Sequence, residues 1–338
     1  MVKPKNILKM NSTKVFVFEY ISCYEDLPPE IAVEGLSMFS MLMRDFSEFA
    51  NPFSLKTFNT PIDYAEISSY FIPNWKKEIY CVEKDLIELF KSGCEKSDYV
   101  CFIAPEDEKI LYKLTKIADK YNNLCSPSKA VKIASDKWRT YKKLKKYVNF
   151  PKTSLKPLSI NSIVKPRFSC GGEGIKFYKK GEVQKNVIYQ EYIEGRKLSV
   201  SFIAGDEIKI LSINEQIIDS FKYFGSKIVT LNSSLEKEIE NIVHEISNRL
   251  KLFGYCGVDL IHSDEFFVVD VNARLTTSSI MLKDGGNINI GKSLIDNFYS
   301  KLNVERAKKG VKVFKGDGEL TLVKYKDSKI SLTKLEKT

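Results

Sequence analysis

The stretch Val268-Val-Asp-Val-Asn-Ala-Arg274, shortly downstream of Asp259, decides how this chain is read. In an extended strand successive side chains alternate between faces, so Asp270, Asn272 and Arg274 share one face. Val269, Val271 and Ala273 take the other, towards a core. Two oxygen-bearing side chains separated by one residue, joined by a third oxygen donor from Asp259, form the hard-cation site that Mg²⁺ prefers. An arginine ending the row can grip a carboxylate or phosphate through two parallel hydrogen bonds. A half-buried strand with a solvated polar face carries the same alternation, so the strand alone leaves both readings open.

Upstream lies a glycine-rich loop, Val164-Lys-Pro-Arg-Phe-Ser-Cys-Gly-Gly-Glu-Gly174. Lys165 closes a short apolar strand, and Gly171, Gly172 and Gly174 follow. Glycines let backbone N–H groups turn inward around phosphate oxygens, and the lysine supplies a point charge. No Gly-Lys-Ser/Thr ends the loop, so it is not a Walker loop. Ile175, Phe177 and Tyr178 stand where a dinucleotide-binding helix would open. A β-hairpin lid over phosphates fits better, although an ordinary glycine-rich hairpin has the same composition. Next, Val187-Ile-Tyr-Gln-Glu-Tyr-Ile-Glu-Gly195 is an apolar strand running into an extended connection, and Lys197-Leu-Ser-Val-Ser-Phe-Ile-Ala204 is a second, alternating strand. Such a connection can offer backbone N–H and C=O groups to an adenine edge, and a flanking carboxylate can accept from the exocyclic amine.

Taken in order, Lys137, Lys165, the glycine-rich loop, Gln190-Glu-Tyr-Ile-Glu-Gly195, Asp259 and Asp270-x-Asn272-x-Arg274 resemble the ATP-grasp superfamily across residues 127–300. The resemblance implies an α/β protein of the ATP-grasp fold, in which ATP sits between two α+β subdomains. The expected division is an N-terminal parallel α/β pre-grasp domain over 1–126 and a first grasp subdomain over 127–193, with the lid from 160. A second grasp subdomain carrying the metal site spans 194–310, and C-terminal strands and a charged, frayed tail span 311–338. The resemblance further implies that Lys137 and Lys165 contact the phosphates, and that Cys170, Gly171, Gly172 and Gly174 lie in the segment closing over them. Gln190, Glu191 and the backbone at Tyr192 and Ile193 would read adenine. Asp259, Asp270 and Asn272 would hold one or two Mg²⁺ ions, for which Mn²⁺ can substitute. Several members place a ribose-binding glutamate where Lys197 stands here; Glu194 is the candidate to replace it, and the ribose contact stays open. Asp270 stands where glutamate is frequent, one methylene shorter.

A closer resemblance lies in Val15-Phe-Val-Phe-Glu-Tyr20, Val33-Glu-Gly-Leu-Ser-Met-Phe-Ser-Met-Leu42 and Asn272-Ala-Arg-Leu-Thr-Thr-Ser-Ser279. These segments are similar to the archaeal tyramine–L-glutamate ligases of methanofuran biosynthesis. That family implies an ATP-dependent, ADP-forming amide ligase acting on the γ-carboxylate of L-glutamate and the amine of tyramine. The γ-phosphoryl group would pass to the carboxylate, and the amine would displace phosphate from the acyl phosphate. Since a carboxylate is already a nucleophile, the protein needs positioning and charge neutralisation rather than a covalent residue. Lys165 and Arg274 would carry this catalysis, Arg274 at the acyl-phosphate oxygens. Another acid–amine pair and a phosphotransferase are the competing activities, and a non-catalytic nucleotide- or RNA-binding module is the competitor from a different class.

Gross properties agree with an intracellular enzyme. The chain has 338 residues, 43% of them hydrophobic and 28% charged, which are globular values with room for a sizeable core. No apolar run approaches the ~20 residues of a membrane span, and Met1-Val-Lys-Pro-Lys-Asn-Ile-Leu-Lys9 lacks a signal-peptide core. A cytoplasmic location without membrane partners is expected, and self-association into a homo-oligomer is left open. The seven cysteines show no C-x-x-C pair, and His244 and His262 lie far apart, which argues against zinc. Cys170 sits in the phosphate loop without a local histidine base, so thiol catalysis is not expected. The net charge of +10 invites a nucleic-acid reading, but it is lysine charge, with only seven arginines, scattered without an aromatic stacking platform. A solvated surface explains it.

Periodicity predicts a strand over 14–22, a helix over 30–46 with Met38, Phe39, Met41, Leu42 and Met43 in a core, and a helix over 83–92. A buried strand over 99–104, a helix over 107–121, a helical pair over 128–147 and a helix over 234–251 follow. A short strand pair is expected over 311–325. Strand alternating with helix at the N-terminus argues for a parallel sheet.

Overall fold

The computed structural model describes residues 12–66, 78–182, 184–324 and 329–337. The opening segment Met1–Lys9 lies outside them. The first unit runs β1 (Lys14–Glu19), α1 (Tyr20–Cys23), α2 (Pro29–Ser47), β2 (Asn51–Lys56), α3 (Pro61–Tyr64), β3 (Ala65–Glu66), β4 (Ile79–Cys81), α4 (Leu86–Glu95), β5 (Tyr99–Ile103) and α5 (Ile110–Ala118). Strands β4-β2-β1-β5 form a parallel sheet in that order. Helices cover it, so β5 and β1 beyond the exposed Lys14 are buried and read as near-continuous apolar runs. Met38, Phe39, Met41, Leu42 and Met43 of α2 are core residues. The strand expected over 14–22 stops at Glu19, whose carboxylate accepts from Ile21 and Ser22 N–H and so starts α1. The helix expected from 107 begins at Ile110, because Glu108 and Lys109 adopt left-handed φ values of 48° and 60°.

The second unit carries α6 (Ser128–Ala134), α7 (Lys137–Leu144), β6 (Thr153–Ser154), β7 (Ser162–Pro166), β8 (Lys176–Phe177) and β9 (Val187–Glu191), with an antiparallel sheet in the order β6-β9-β7-β8. Its apolar centre is small and separate from the main core: Val164, Val187 and Tyr189, flanked by Leu158 and Tyr178. A sheet held by so few apolar contacts is the kind of element that opens at low cost.

The third unit comprises β10 (Arg196–Ala204), β11 (Ile208–Asp219), β12 (Lys222–Val229), α8 (Ser233–Leu250), β13 (Gly254–His262), β14 (Phe266–Asn272), α9 (Leu282–Gly286), α10 (Ile290–Phe298), β15 (Lys312–Lys315), β16 (Glu319–Val323) and β17 (Lys329–Leu335). Its sheet has the order β14-β13-β10-β11-β12-β15-β16-β17-β3. The long hairpin β11–β12 was not foreseen. Nor is the charged tail frayed over its described residues. Residues 329–335 pair with β16 and β3, burying Leu332 and Leu335, and Ser37 of α2 bonds Thr333 at 3.0 Å. That strand ties the chain's end to the first unit. Among the described residues no helix is long and apolar enough to cross a membrane.

Candidate active site

Asp259 of β13 and Asp270 of β14 are cross-strand partners, as are Gly257 and Asn272. The alternation expected along 268–274 is broken between them. Asp259 faces Asp270 while Leu260 faces Val268, so Val269 is an extra residue, a β-bulge. Val268 and Val271 are therefore the buried pair, and Val269 is half-buried at a narrow cleft with Lys137, Ile188, Gln190 and Asp270. Asn272 Nδ2 donates to Asp259 Oδ2 at 3.3 Å, and Gln216 Nε2, which the sequence reading missed, donates to Oδ1 at 3.1 Å. Burial first, then the Asp270 charge, pushes the Asp259 carboxyl up to about 7. Two half-buried carboxylates facing each other call for compensating positive charge. Lys137 Nζ, 3.0 Å from Asp270 Oδ2, supplies part of it. The residues present thus fit a hard divalent cation, with two carboxylates and an amide oxygen as donors. Among the described residues no group of three or more His, Cys, Asp or Glu side chains converges.

Lys137 opens α7, and its placement is over-determined. Asp136 caps the helix through Trp138 N–H and Arg139 N–H, and Arg167 grips the Asp136 carboxylate at 3.1 and 2.5 Å. Lys137 N–H then donates to Arg167 O, and its Nζ to Ser169 O at 2.9 Å. Burial alone would lower the Lys137 ammonium, but the Asp270 and Glu106 carboxylates hold it above its ordinary value. Lys165 on β7 is equally buried. Burial pulls it down to about 8, with the Lys137 charge adding to the fall and the Asp270 and Asp259 carboxylates opposing it.

A pH dependence follows. If Lys165 meets the phosphates of bound ATP, their oxygens favour its charged amine, whereas ligand-free Lys165 loses its proton near pH 8, so binding above that pH must take the proton up again. The dissociation constant for ATP with Mg²⁺ should rise as pH climbs through 8, approaching about tenfold per unit at the alkaline end. Lys165→Arg, always charged, should flatten the rise. Titration calorimetry giving a pH-independent constant for the wild type would overturn a Lys165 contact to phosphate.

The glycine-rich segment turns between β7 and β8. Gly171, Gly172 and Gly174 have φ of 63°, 81° and 71°, which side chains resist. A Cβ on Gly172 would lie 2.2 Å from the Phe221 carbonyl oxygen in the β11–β12 turn, so the loop sits directly on the third unit. Phe177, Tyr192 and Phe221 pack edge-to-face beside this contact. Cys170 Sγ reaches Asp107 Oδ2 at 3.7 Å, and burial pushes its thiol up to about 12, which disfavours a nucleophilic thiolate.

Gln190 and Glu191 end β9, and residues 192–195 lead into β10. Gln190 is buried and donates to Thr153 Oγ1 at 3.0 Å. Glu191 accepts from Lys152 N–H at 3.2 Å. The Tyr192 N–H donates to Asn161 O, which leaves its carbonyl and the Ile193 N–H, without a partner among the described residues, as the backbone groups here that could meet an adenine edge. Glu194 is exposed, and Lys197 Nζ donates to Ile218 O at 3.4 Å.

Arg274 lies just beyond β14 and is not free. Its Nε and Nη2 donate to Glu106 Oε1 and Oε2 at 2.8 and 3.0 Å, and its Nη1 to Leu275 O at 2.9 Å. Glu106 was missed by the sequence reading. It follows Ala104-Pro105 at the carboxyl end of a buried parallel strand. That is where α/β sheets present functional groups, and position alone could have flagged it.

Lys137 thus meets Asp270 and the Ser169 carbonyl ahead of the glycine turn, Asn272 meets Asp259, and the Lys165 and Arg274 charges lie within range of Asp270, while Gln190 lines the same narrow cleft as Lys137 and Asp270. The ATP-grasp domain family matches residues 134–278. Two curated relatives are tyramine–L-glutamate ligases. The one from Methanocaldococcus fervens is 38% identical, covering 80% of this chain and 89% of its own length. The one from Methanocaldococcus jannaschii is 37% identical, covering 84% and 88%. A crystal structure of an ATP-grasp superfamily protein from Archaeoglobus fulgidus superposes with a TM-score of 0.76 at 31% identity, covering 96% of this chain and all of that one. With identity of that extent running through both the first unit and the grasp site, the chain belongs to the ATP-grasp superfamily, in the family of the tyramine–L-glutamate ligases.

Proposed function

We propose that this ATP-dependent ligase joins the γ-carboxylate of L-glutamate to the amine of tyramine, giving γ-glutamyltyramine, ADP and phosphate. The observation that carries the reading is the identity to the two ligases, which extends over most of both chains. Asp259, Asp270 and Asn272 would hold Mg²⁺, which supplies positive charge to the triphosphate oxygens when bound. Lys137 and Lys165 reach the same oxygens from α7 and β7, and the 170–174 turn closes over them and excludes water. Charge that moves from the γ-phosphate to the acyl-phosphate oxygens then meets fixed donors on both sides, Lys165 on one and Arg274 on the other. Ile193 N–H and the Glu191 carboxylate border the place for adenine, and Val269 gives it an apolar wall.

With ATP, Mg²⁺, glutamate and tyramine, product, ADP and phosphate should form in equal amounts. Tyrosine should replace tyramine poorly, because a site shaped for the amine leaves the extra carboxylate buried and unpaired. Aspartate should replace glutamate poorly, because one methylene changes the reach of the reacting carboxylate. ADP release only with another acid–amine pair would overturn the substrate assignment and keep the ligase. Stoichiometric phosphorylation of one substrate without any amine would make the protein a phosphotransferase.

A further inference from the structure

Glu106 makes no hydrogen bond to the proposed metal donors or phosphate lysines, acting on Lys137 only through its charge, yet it is the direct acidic partner of Arg274. It stands after β5 in the first unit, whereas Arg274 stands after β14 in the large sheet, so their pair bridges two units. Both side chains are buried, 7% and 12% exposed. The two bonds to Glu106 and the one to Leu275 O engage three of the guanidinium's N–H groups. About two of the five an arginine carries are left, one on each terminal nitrogen. The chain that presents Glu106 is strained: Glu108 and Lys109 follow with φ of 48° and 60°. Left-handed backbone costs L-residues on the order of 1 kcal/mol each and persists where the surroundings over-determine it.

We propose that Glu106 is a positioning residue for the ligase reaction: it fixes the plane of Arg274 so that the remaining N–H edge meets the reacting carboxylate and then the acyl-phosphate oxygens. This rests on the ligase reading above. An ion-paired arginine attracts a resting carboxylate weakly, so Glu106 contributes little to ground-state binding. A fixed guanidinium plane matters when the oxygens reach their transition-state positions, and a displacement of ~1 Å there costs about a hundredfold in rate.

The test is Glu106→Gln, which removes the charge and turns one acceptor into a donor facing the Arg274 N–H groups. Turnover should fall about a hundredfold, with KM for ATP and for the acid within about threefold of wild type. In the double variant with Arg274→Lys the loss should stay within about threefold of Arg274→Lys alone, because the two residues act as one unit. Glu106→Asp keeps the charge but falls short by a methylene, and should lose about tenfold in turnover with the melting temperature retained. If Glu106 only braced the two units, the melting temperature would fall while kcat held, or the two losses would multiply; either result overturns the proposal. Wild-type turnover in the same assay reports separately on the substrates. If glutamate and tyramine fail while another acid–amine pair releases ADP, the ratio of variant to wild type is taken with that pair and decides the proposal in the same way.

Discussion

Asp270→Asn should reduce turnover by a factor of about 10² to 10³ in excess Mg²⁺, the range for a lost electrostatic element of a reaction centre. The structure gives this residue two duties. It is one of two carboxylates proposed for the cation, and it is the counter-charge 3.0 Å from the Lys137 ammonium. An amide keeps the shape and loses both. Stability should change much less than turnover. Asp259 is pushed up to about 7 by burial and then by the Asp270 charge, so removing that charge lets Asp259 ionise more readily. It then takes over part of the compensation of Lys137. Calorimetric melting of the ligand-free variant should therefore stay within a few degrees of wild type. Asn272→Ala, which removes a donor without removing charge, should cost less than Asp270→Asn. Turnover of Asp270→Asn within about threefold of wild type would show that the cation is held elsewhere.

Gly172→Val should raise KM for ATP and slow the chemical step together, each by about tenfold or more, since one closed lid serves both binding and chemistry. The reason is specific. A Cβ at this position would lie 2.2 Å from the Phe221 backbone oxygen, which cannot swing aside as a side chain could, and φ is 81°. The lid could close only by lifting off the β11–β12 turn. Gly171→Ala is the control, because Gly171 has φ of 63° but nothing within 4 Å of its added Cβ. It carries the backbone cost alone, about 1 kcal/mol, and should leave KM for ATP nearly unchanged. Equal effects of the two variants would mean that backbone strain, not seating on Phe221, governs closure. No effect of Gly172→Val would reduce the segment to an ordinary hairpin.

These outcomes depend on residues that differ in how far they could be read in advance. The glycine turn and the grouping of Asp270 and Asn272 with Asp259 were legible because their information is local. Residue spacing along a strand sets which side chains share a face, and glycine in a phosphate loop announces backbone that other residues resist. Even there the bulge at Val269 escaped notice, since an extra residue shows only against the paired strand. The tail over 329–335 looked polar and frayed, yet its lysines flank Leu332 and Leu335, and the strand is stabilised by pairing with β16 and β3.

Ordered spacing of lysine, glycine turn, carboxylates and arginine carried the resemblance to a nucleotide-dependent ligase fold, because each of those features is a short-range pattern that a strand or turn imposes on its own residues. What those groups are bonded to was decided by packing. Asp136 and Arg167 hold Lys137, Gln216 holds Asp259, and Glu106 holds Arg274 from 168 residues away. No periodicity links such partners. They meet because three separately patterned sheets pack into one molecule, and a buried charge stays only if another segment brings it a partner.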